Sequence, residues 1–260
     1  MTPDKIYGCL LGLAAGDRNG GSVRMALRLS RSLTERACFD AEDISQCYLD
    51  WWRNDAFDTG PTFASVYTRV DKGMPVSEAV LESHEECHGE TAGCNPAHRC
   101  PPLALAGFLS DGQLESALIA EAQLSHLHQL AGEGSAFVGL LCRNLIQGES
   151  FIKALELAGR NRANAIKRSA AAFDQDSLKT GGYTPEAIAA GLYFVKTSSS
   201  FSEALQKALV FAGPANYCPV ITGAVAGARW GQSSISSEQL THCDVLLDVE
   251  AATNTLIATW

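Results

Sequence analysis

Ile221-Thr222-Gly223-Ala224-Val225-Ala226-Gly227-Ala228-Arg229-Trp230-Gly231 is a run of small and apolar residues inside the stretch 217–229, which reads as a helix. Working outward, 202–211 and 185–196 read as two more helices, with Ser198-Ser199-Ser200 as a cap-like break between them. Thr180-Gly181-Gly182-Tyr183 reads as a tight turn feeding a helix, since glycine adopts conformations that other residues avoid. Phe151, Leu155 and Ala158 share a stripe. Residues 112–131, rich in alanine and leucine, read as one long helix. Gly132 and Gly134 punctuate it before a run from Ala136 to Ile146 that Gly148 stops.

Nearer the N-terminus, Gly8 to Asp17 reads as a first core helix, and Met25, Ala26, Leu29 and Leu33 mark the face of another. Asp40 is a predicted N-cap, with Ile44, Cys47, Tyr48 and Trp51 on one stripe after it. Ala79, Val80, Leu81 and His84 continue the helical pattern, and Val245, Leu246, Val249 and Ala252 predict a C-terminal helix. No segment sustains the alternation of a half-buried strand. The expected fold is all-α, a compact multi-helix bundle forming one domain over residues 1–260.

Composition agrees with a globular chain: 46% of the 260 residues are hydrophobic and 19% charged. A formal net charge of -9 argues against binding to nucleic acid or to an anionic membrane surface. It leaves room for a small anionic ligand held by helix N-termini. The nine cysteines, odd in number and mostly within helical patterns, suit reduced thiols and a cytoplasmic setting. The apolar run from Ile6 to Ala15 is short and broken by Gly8 and Gly12, so it reads as a core helix and not a signal peptide. No stretch is long and apolar enough to span a membrane.

Several segments, in order, resemble the ADP-ribosylglycohydrolase family. Gly8 through Asp17 resembles its opening helix. Arg24-Met25-Ala26-Leu27 resembles the helix after its Thr-Asp-Asp-Thr motif, and Phe57-Asp58-Thr59-Gly60 its Asp-Ile-Gly segment. Gly93 through Arg99 with Pro102-Leu103-Ala104-Leu105 is similar to its substrate loop and following helix. Ser125-His126-Leu127-His128 resembles its helix-linking Thr-His-Pro-His turn, and Gly181-Gly182-Tyr183 lies at its ribose loop. Ile221 through Gly231 resembles the helix after its Gly-Asp-Thr-Asp-Thr motif. The resemblance implies an all-helical fold, a pair of magnesium ions and cleavage of ADP-ribose from modified side chains or related acceptors. The metals would orient the ribose diols and help to activate water.

The acidic motifs themselves are absent. In register, Thr-Asp-Asp-Thr falls on Gly20-Gly21-Ser22-Val23 and Asp-Thr-Asp-Thr on Pro214-Ala215-Asn216-Tyr217. Magnesium wants oxygen ligands, usually including carboxylates, and two adjacent dications need negative charge around them. Gly21 and Pro214 offer no side-chain oxygen, and Ser22 and Asn216 offer neutral ones. No cofactor is expected, and magnesium binding is read as lost. The family's asparagine falls on Cys94, with Asn95 next to it. Carried over by register, the ligand-binding candidates are Asn95, Gly181, Gly182, Tyr183 and Asn216. Asp58 is the catalytic candidate, or else a turn aspartate. Asp17 reads as a structural residue bracing the end of the first helix.

A separate cluster, His84, Cys87, His88, Cys94, His98 and Cys100, carries zinc-type ligands, although its spacing fits no standard structural zinc pattern. Cys94 or Cys218 as a nucleophile would need a depressed pKa and a nearby base among His98, His126 and His128. No P-loop, dinucleotide fingerprint or serine-hydrolase elbow is present. Three functions follow. One is a divergent glycohydrolase binding or cleaving an ADP-ribosyl or related N-glycosidic ligand in a reorganised cleft. Another is an inactive pseudoenzyme that recognises a nucleotide-like ligand or a protein partner. The third is a structural, crystallin-like protein. The oligomeric state is left open.

Overall fold

In the computed structural model, which describes residues 2–172 and 174–260, helix follows helix along the chain. The first half runs α1 (Pro3–Gly16), α2 (Gly21–Arg36), α3 (Ala41–Asn54), α4 (Pro61–Asp71), α5 (Val76–Glu86), α6 (Asn95–Arg99), α7 (Pro101–Leu105) and α8 (Asp111–Ala122). The second half runs α9 (Gln129–Gln147), α10 (Phe151–Ala158), α11 (Asn164–Ala170), α12 (Thr184–Lys196), α13 (Phe201–Ala212), α14 (Tyr217–Trp230) and α15 (Leu246–Ile257). The described residues contain no strand beyond an isolated antiparallel bridge between Gly93 and Tyr183. No helix among them is long and apolar enough to cross a membrane.

The apolar run 221–231 forms α14 up to Trp230, with Gly231 as its C-cap, and the helix residues from Cys218 to Ala228 are all buried. It packs most extensively on α1. The two backbones approach closely because glycines face each other: a Cβ on Gly12 would lie 2.1 Å from the Gly223 carbonyl oxygen. Around this pair, α9, α12, α13 and α15 complete the core. Local signals end the helices where expected. Asp40 accepts hydrogen bonds from the backbone of Glu42 and Asp43 at the start of α3, and Ser200 caps α13. Gly148 ends α9 in a left-handed conformation.

One expectation is corrected. Residues 112–131 are not one helix. α8 ends at Ala122, and α9 starts at Gln129, where the His128 imidazole accepts from the Leu130 N–H at 3.1 Å. The turn falls on Ser125 to His128, where the family resemblance, and not the periodicity, puts it. Gly132 and Gly134 do not interrupt anything and sit inside α9. Glycine in a helix costs about 1 kcal/mol relative to alanine, but here it admits a neighbour. A Cβ on Gly134 would fall 2.1 Å from Thr184 Cγ2 at the start of α12.

The core also holds charge. Arg99 and Glu121, both 0% exposed, pair at 2.6 Å. The Tyr48 hydroxyl donates to the same carboxylate oxygen at 2.7 Å. Arg143 donates to the carbonyls of Ala104 at 2.7 Å and Ala106 at 2.8 Å, satisfying the end of α7. All nine cysteines are free thiols.

Candidate functional site

A cleft of about 690 Å³ opens where several helices begin. Its walls include Ser22 from the first turn of α2, Gly60 to Thr62 at the start of α4, and Cys94 and Asn95 at the start of α6. Gly182 and Tyr183 come from the start of α12, and Pro214 to Tyr217 from the start of α14. Several helix N-termini, the positive ends of their dipoles, therefore face one space. No side chain caps α4, α12 or α14. No lysine or arginine lines the cleft; its charged lining residues are Asp58 and Glu90.

The loops are tied together mostly through backbone groups. The Cys94 N–H donates to the Gly182 carbonyl at 2.9 Å, and Thr184 donates to the Ala92 carbonyl through both its N–H and its hydroxyl. These bonds fix the turn 180–184 against the loop before α6. Of the sequence-derived candidates, Ser22, Asp58, Asn95, Gly182, Tyr183, Pro214 and Asn216 line the cleft, whereas Gly21 and Gly181 do not. Gly21 instead packs on the segment that carries Asp58, whose carbonyl oxygen would lie 2.5 Å from a Cβ there.

Two candidates are less free than their register suggests. Asn95 donates to the Thr59 carbonyl at 3.0 Å and accepts from Arg99. Asn216 accepts from the Arg18 N–H at 3.1 Å and donates to Asp17 at 2.6 Å. Both amides are engaged within the protein, so they shape the cleft wall. Tyr183 is 43% exposed, and Tyr217, also exposed, stacks on the His98 ring.

Asp58 is a turn aspartate that also lines the cleft. It has the positive φ of a turn residue, 49°, and its carboxylate reaches the cleft, accepting from Asn19 Nδ2 at 3.2 Å. Partial burial holds its carboxyl above the ordinary value; nearby Asp17 adds to the shift, and the hydrogen bonds from Asn19 and the Gly21 backbone oppose it. Asp17 has no spare oxygen. Its carboxylate accepts from Gly20 N at 2.9 Å, Val23 N at 2.7 Å and Asn216, which anchors the start of α2.

The zinc reading is corrected. Among the described residues no three His, Cys, Asp or Glu side chains converge to hold a metal. His84 bonds Thr91 at 2.6 Å, His98 meets Ser22 at 3.5 Å, and the Cys100 thiol turns to the Ala97 carbonyl at 3.5 Å. Proximity in sequence is undone by the fold: His84, Cys87 and His88 lie at or just past the end of α5, whereas Cys94, His98 and Cys100 lie in or beside α6. The thiol nucleophiles are also disfavoured. Burial raises the Cys94 thiol far above its ordinary value and pushes Cys218 up to about 12, so both stay protonated near neutrality.

His126, a turn residue by the family resemblance and a candidate base, is part of the cleft wall. Arg99 Nη2 donates to Ser125 Oγ at 2.9 Å, and Ser125 Oγ lies 2.8 Å from His126 Nδ1. With the serine oxygen accepting from the guanidinium, its own hydrogen goes to Nδ1. That tautomer puts the remaining hydrogen on Nε2, beside Gly93. Only the tertiary contact between Arg99 and Ser125 reveals this.

Both cleft histidines are held below the usual imidazole range, which favours their neutral forms near neutrality. Burial pushes His98 down to about 4, only partly offset by Asp17. Burial also holds His126 well below its usual range, and the Arg99 charge lowers it further. The unfolded chain therefore takes up protons first as pH falls. The stability tied to keeping these rings neutral is complete above about pH 6.5 and is lost on acidification, at roughly 1.4 kcal/mol per pH unit for each ring. Urea unfolding at pH 7 and pH 5 measures this loss, and neither imidazole should titrate by NMR above pH 5 in the folded protein.

An all-helical scaffold with helix N-termini gathered around one cleft defines the class. The ADP-ribosylglycohydrolase family model matches residues 21–259, and the chain belongs to that family. It is 24% identical over 284 residues to the ADP-ribosyl-[dinitrogen reductase] glycohydrolase of Rhodospirillum rubrum, covering 95% of this chain and 92% of that protein. A solved chain described as an ADP-ribosylglycohydrolase-related protein complex superimposes with a TM-score of 0.79 at 24% identity, over 99% of this chain and 98% of the other.

Proposed function

We propose that the cleft binds an ADP-ribosyl ligand without the two-magnesium centre, and that metal-dependent hydrolysis has been lost. The observation that carries this reading is the fate of the acidic motifs. At their positions stand Gly21, Ser22, Pro214 and Asn216, and the nearby Asp17 has both oxygens engaged. Asp58 is the single carboxylate left facing the cleft from these loops. Asp58 among neutral loop neighbours, even with Glu90 elsewhere in the lining, does not fit two adjacent dications, which need several anionic oxygens. Anion binding does not need the metals. The uncapped starts of α4 and α14 offer N–H groups suited to a diphosphate. Tyr183 and Tyr217 offer exposed rings for a base.

Calorimetric titration with ADP-ribose tests this. The expected result is binding that is equal in EDTA and in millimolar magnesium, with no release of ADP-ribose from ADP-ribosyl-arginine. Tight binding of two magnesium ions per chain would sink the loss of the metal centre. A second reading keeps hydrolysis, with Asp58 activating water, because its carboxylate faces the cleft with a raised pKa. Release activity abolished by Asp58→Asn would favour it.

A further inference from the structure

We propose that Arg18 is a positioning residue, a built-in cation that with Asp17 and Asn216 clamps the loop before α2 to the loop before α14 and so sets the cleft without a metal ion. The two loops are distant in sequence and form part of the same cleft wall, through Asn19 and Ser22 on one side and Pro214 to Asn216 on the other. Arg18 Nη2 donates to the carbonyls of Gly213 and Ala215, each at 2.7 Å. Its backbone N–H donates to Asn216 Oδ1, and Asn216 Nδ2 passes the connection to Asp17. Asp17 in turn holds the N–H groups of Gly20 and Val23.

An unbroken path of hydrogen bonds thus runs from the end of α13 to the first turn of α2. Its inner part is buried, with Asp17 2% and Asn216 8% exposed. The guanidinium sits on carbonyls at a helix C-terminus, where a cation is favoured, and the two hydrogens of Nη2 serve the two acceptors. Gly213 has φ 57° and ψ -123°, a conformation open to glycine, and its carbonyl is one of the two that Arg18 holds. These are the segments on which the family's two acidic motifs fall in register. Here a protein cation and an amide join them.

The clamp goes beyond the ligand-binding reading and is tested without any ligand. Hydrogen–deuterium exchange is followed on the full chain in EDTA and in magnesium, for wild type, Arg18→Ala and Arg18→Lys. In wild type, the amides of Gly213 and Ala215, bonded to the Leu209 and Ala212 carbonyls, should be equally protected in both buffers. In Arg18→Ala they should exchange about tenfold faster or more, as expected for loss of charge-assisted hydrogen bonds. Arg18→Lys, which keeps the charge but loses the reach and fixed plane of the guanidinium, should fall between. Equal exchange of all three proteins in that segment overturns the proposal, as does wild-type protection that requires magnesium. Failure of ADP-ribose to bind would leave these outcomes unchanged.

Discussion

Glu121→Leu is expected to destabilise the fold by about 3–5 kcal/mol, because it strands a buried guanidinium. Arg99 and Glu121 are each 0% exposed and paired at 2.6 Å. The carboxylate also accepts from Tyr48 at 2.7 Å. Arg99 keeps hydrogen bonds to Asn95, Ser125 and the Glu121 carbonyl, but none of those partners carries the opposing charge. Burial disfavours an uncompensated charge, and arginine escapes it poorly because it hardly deprotonates. Glu121→Gln, which retains an acceptor, should lose less. The double variant Arg99→Met with Glu121→Leu should recover part of the loss, since removing both charges of a buried pair is milder than removing one. Urea unfolding of the three variants measures the differences. A loss below about 1 kcal/mol for Glu121→Leu would contradict the argument, which rests on the pair's burial. The same pair bears on the cleft, since Arg99 orients Ser125 and through it the His126 ring.

Gly227→Ala is the second large effect. The added methyl would lie 1.8 Å from the Gly8 carbonyl oxygen, and the equivalent change at Gly223 would lie 2.0 Å from that of Gly12. These obstacles are backbone atoms of a helix and cannot rotate away as a side chain can. α1 and α14 would have to separate along a face that is almost wholly buried. Overpacking of this kind commonly costs 1–3 kcal/mol, and here about 3 kcal/mol or more is expected because the strain falls on the main chain. Gly112→Ala in α8 is the control, since a Cβ there meets nothing within 4 Å. It should be neutral or stabilising by up to about 1 kcal/mol from helix propensity. Thermal and urea unfolding of the two variants give the comparison; similar stability for both would refute the close-packing account.

Helices, caps and the missing acidic motifs were legible in the sequence because each rests on local information. The burial of 221–228 follows from its composition, and Asp40, Ser200 and Gly148 act on their nearest neighbours. Gly21, Ser22, Pro214 and Asn216 stand where aspartates were expected whatever the fold does. The break at Ser125–His128 was hidden from periodicity because both flanking segments are apolar and helical; it was visible only by resemblance.

Tertiary structure alone decided what the polar residues do. The His/Cys cluster at 84–100 is dense in sequence, yet its side chains turn to Thr91, Ser22 and Ala97 and share no centre. Asn216, a ligand candidate by register, is held by Arg18 and Asp17. His126 gains its tautomer from Arg99 through Ser125. The reason is physical. Burying an apolar face needs only the right kind of residue at the right period, which the sequence by itself determined for α14 and its neighbours. A hydrogen bond needs a partner within about 3 Å in the right direction, and only the packed helices supply one.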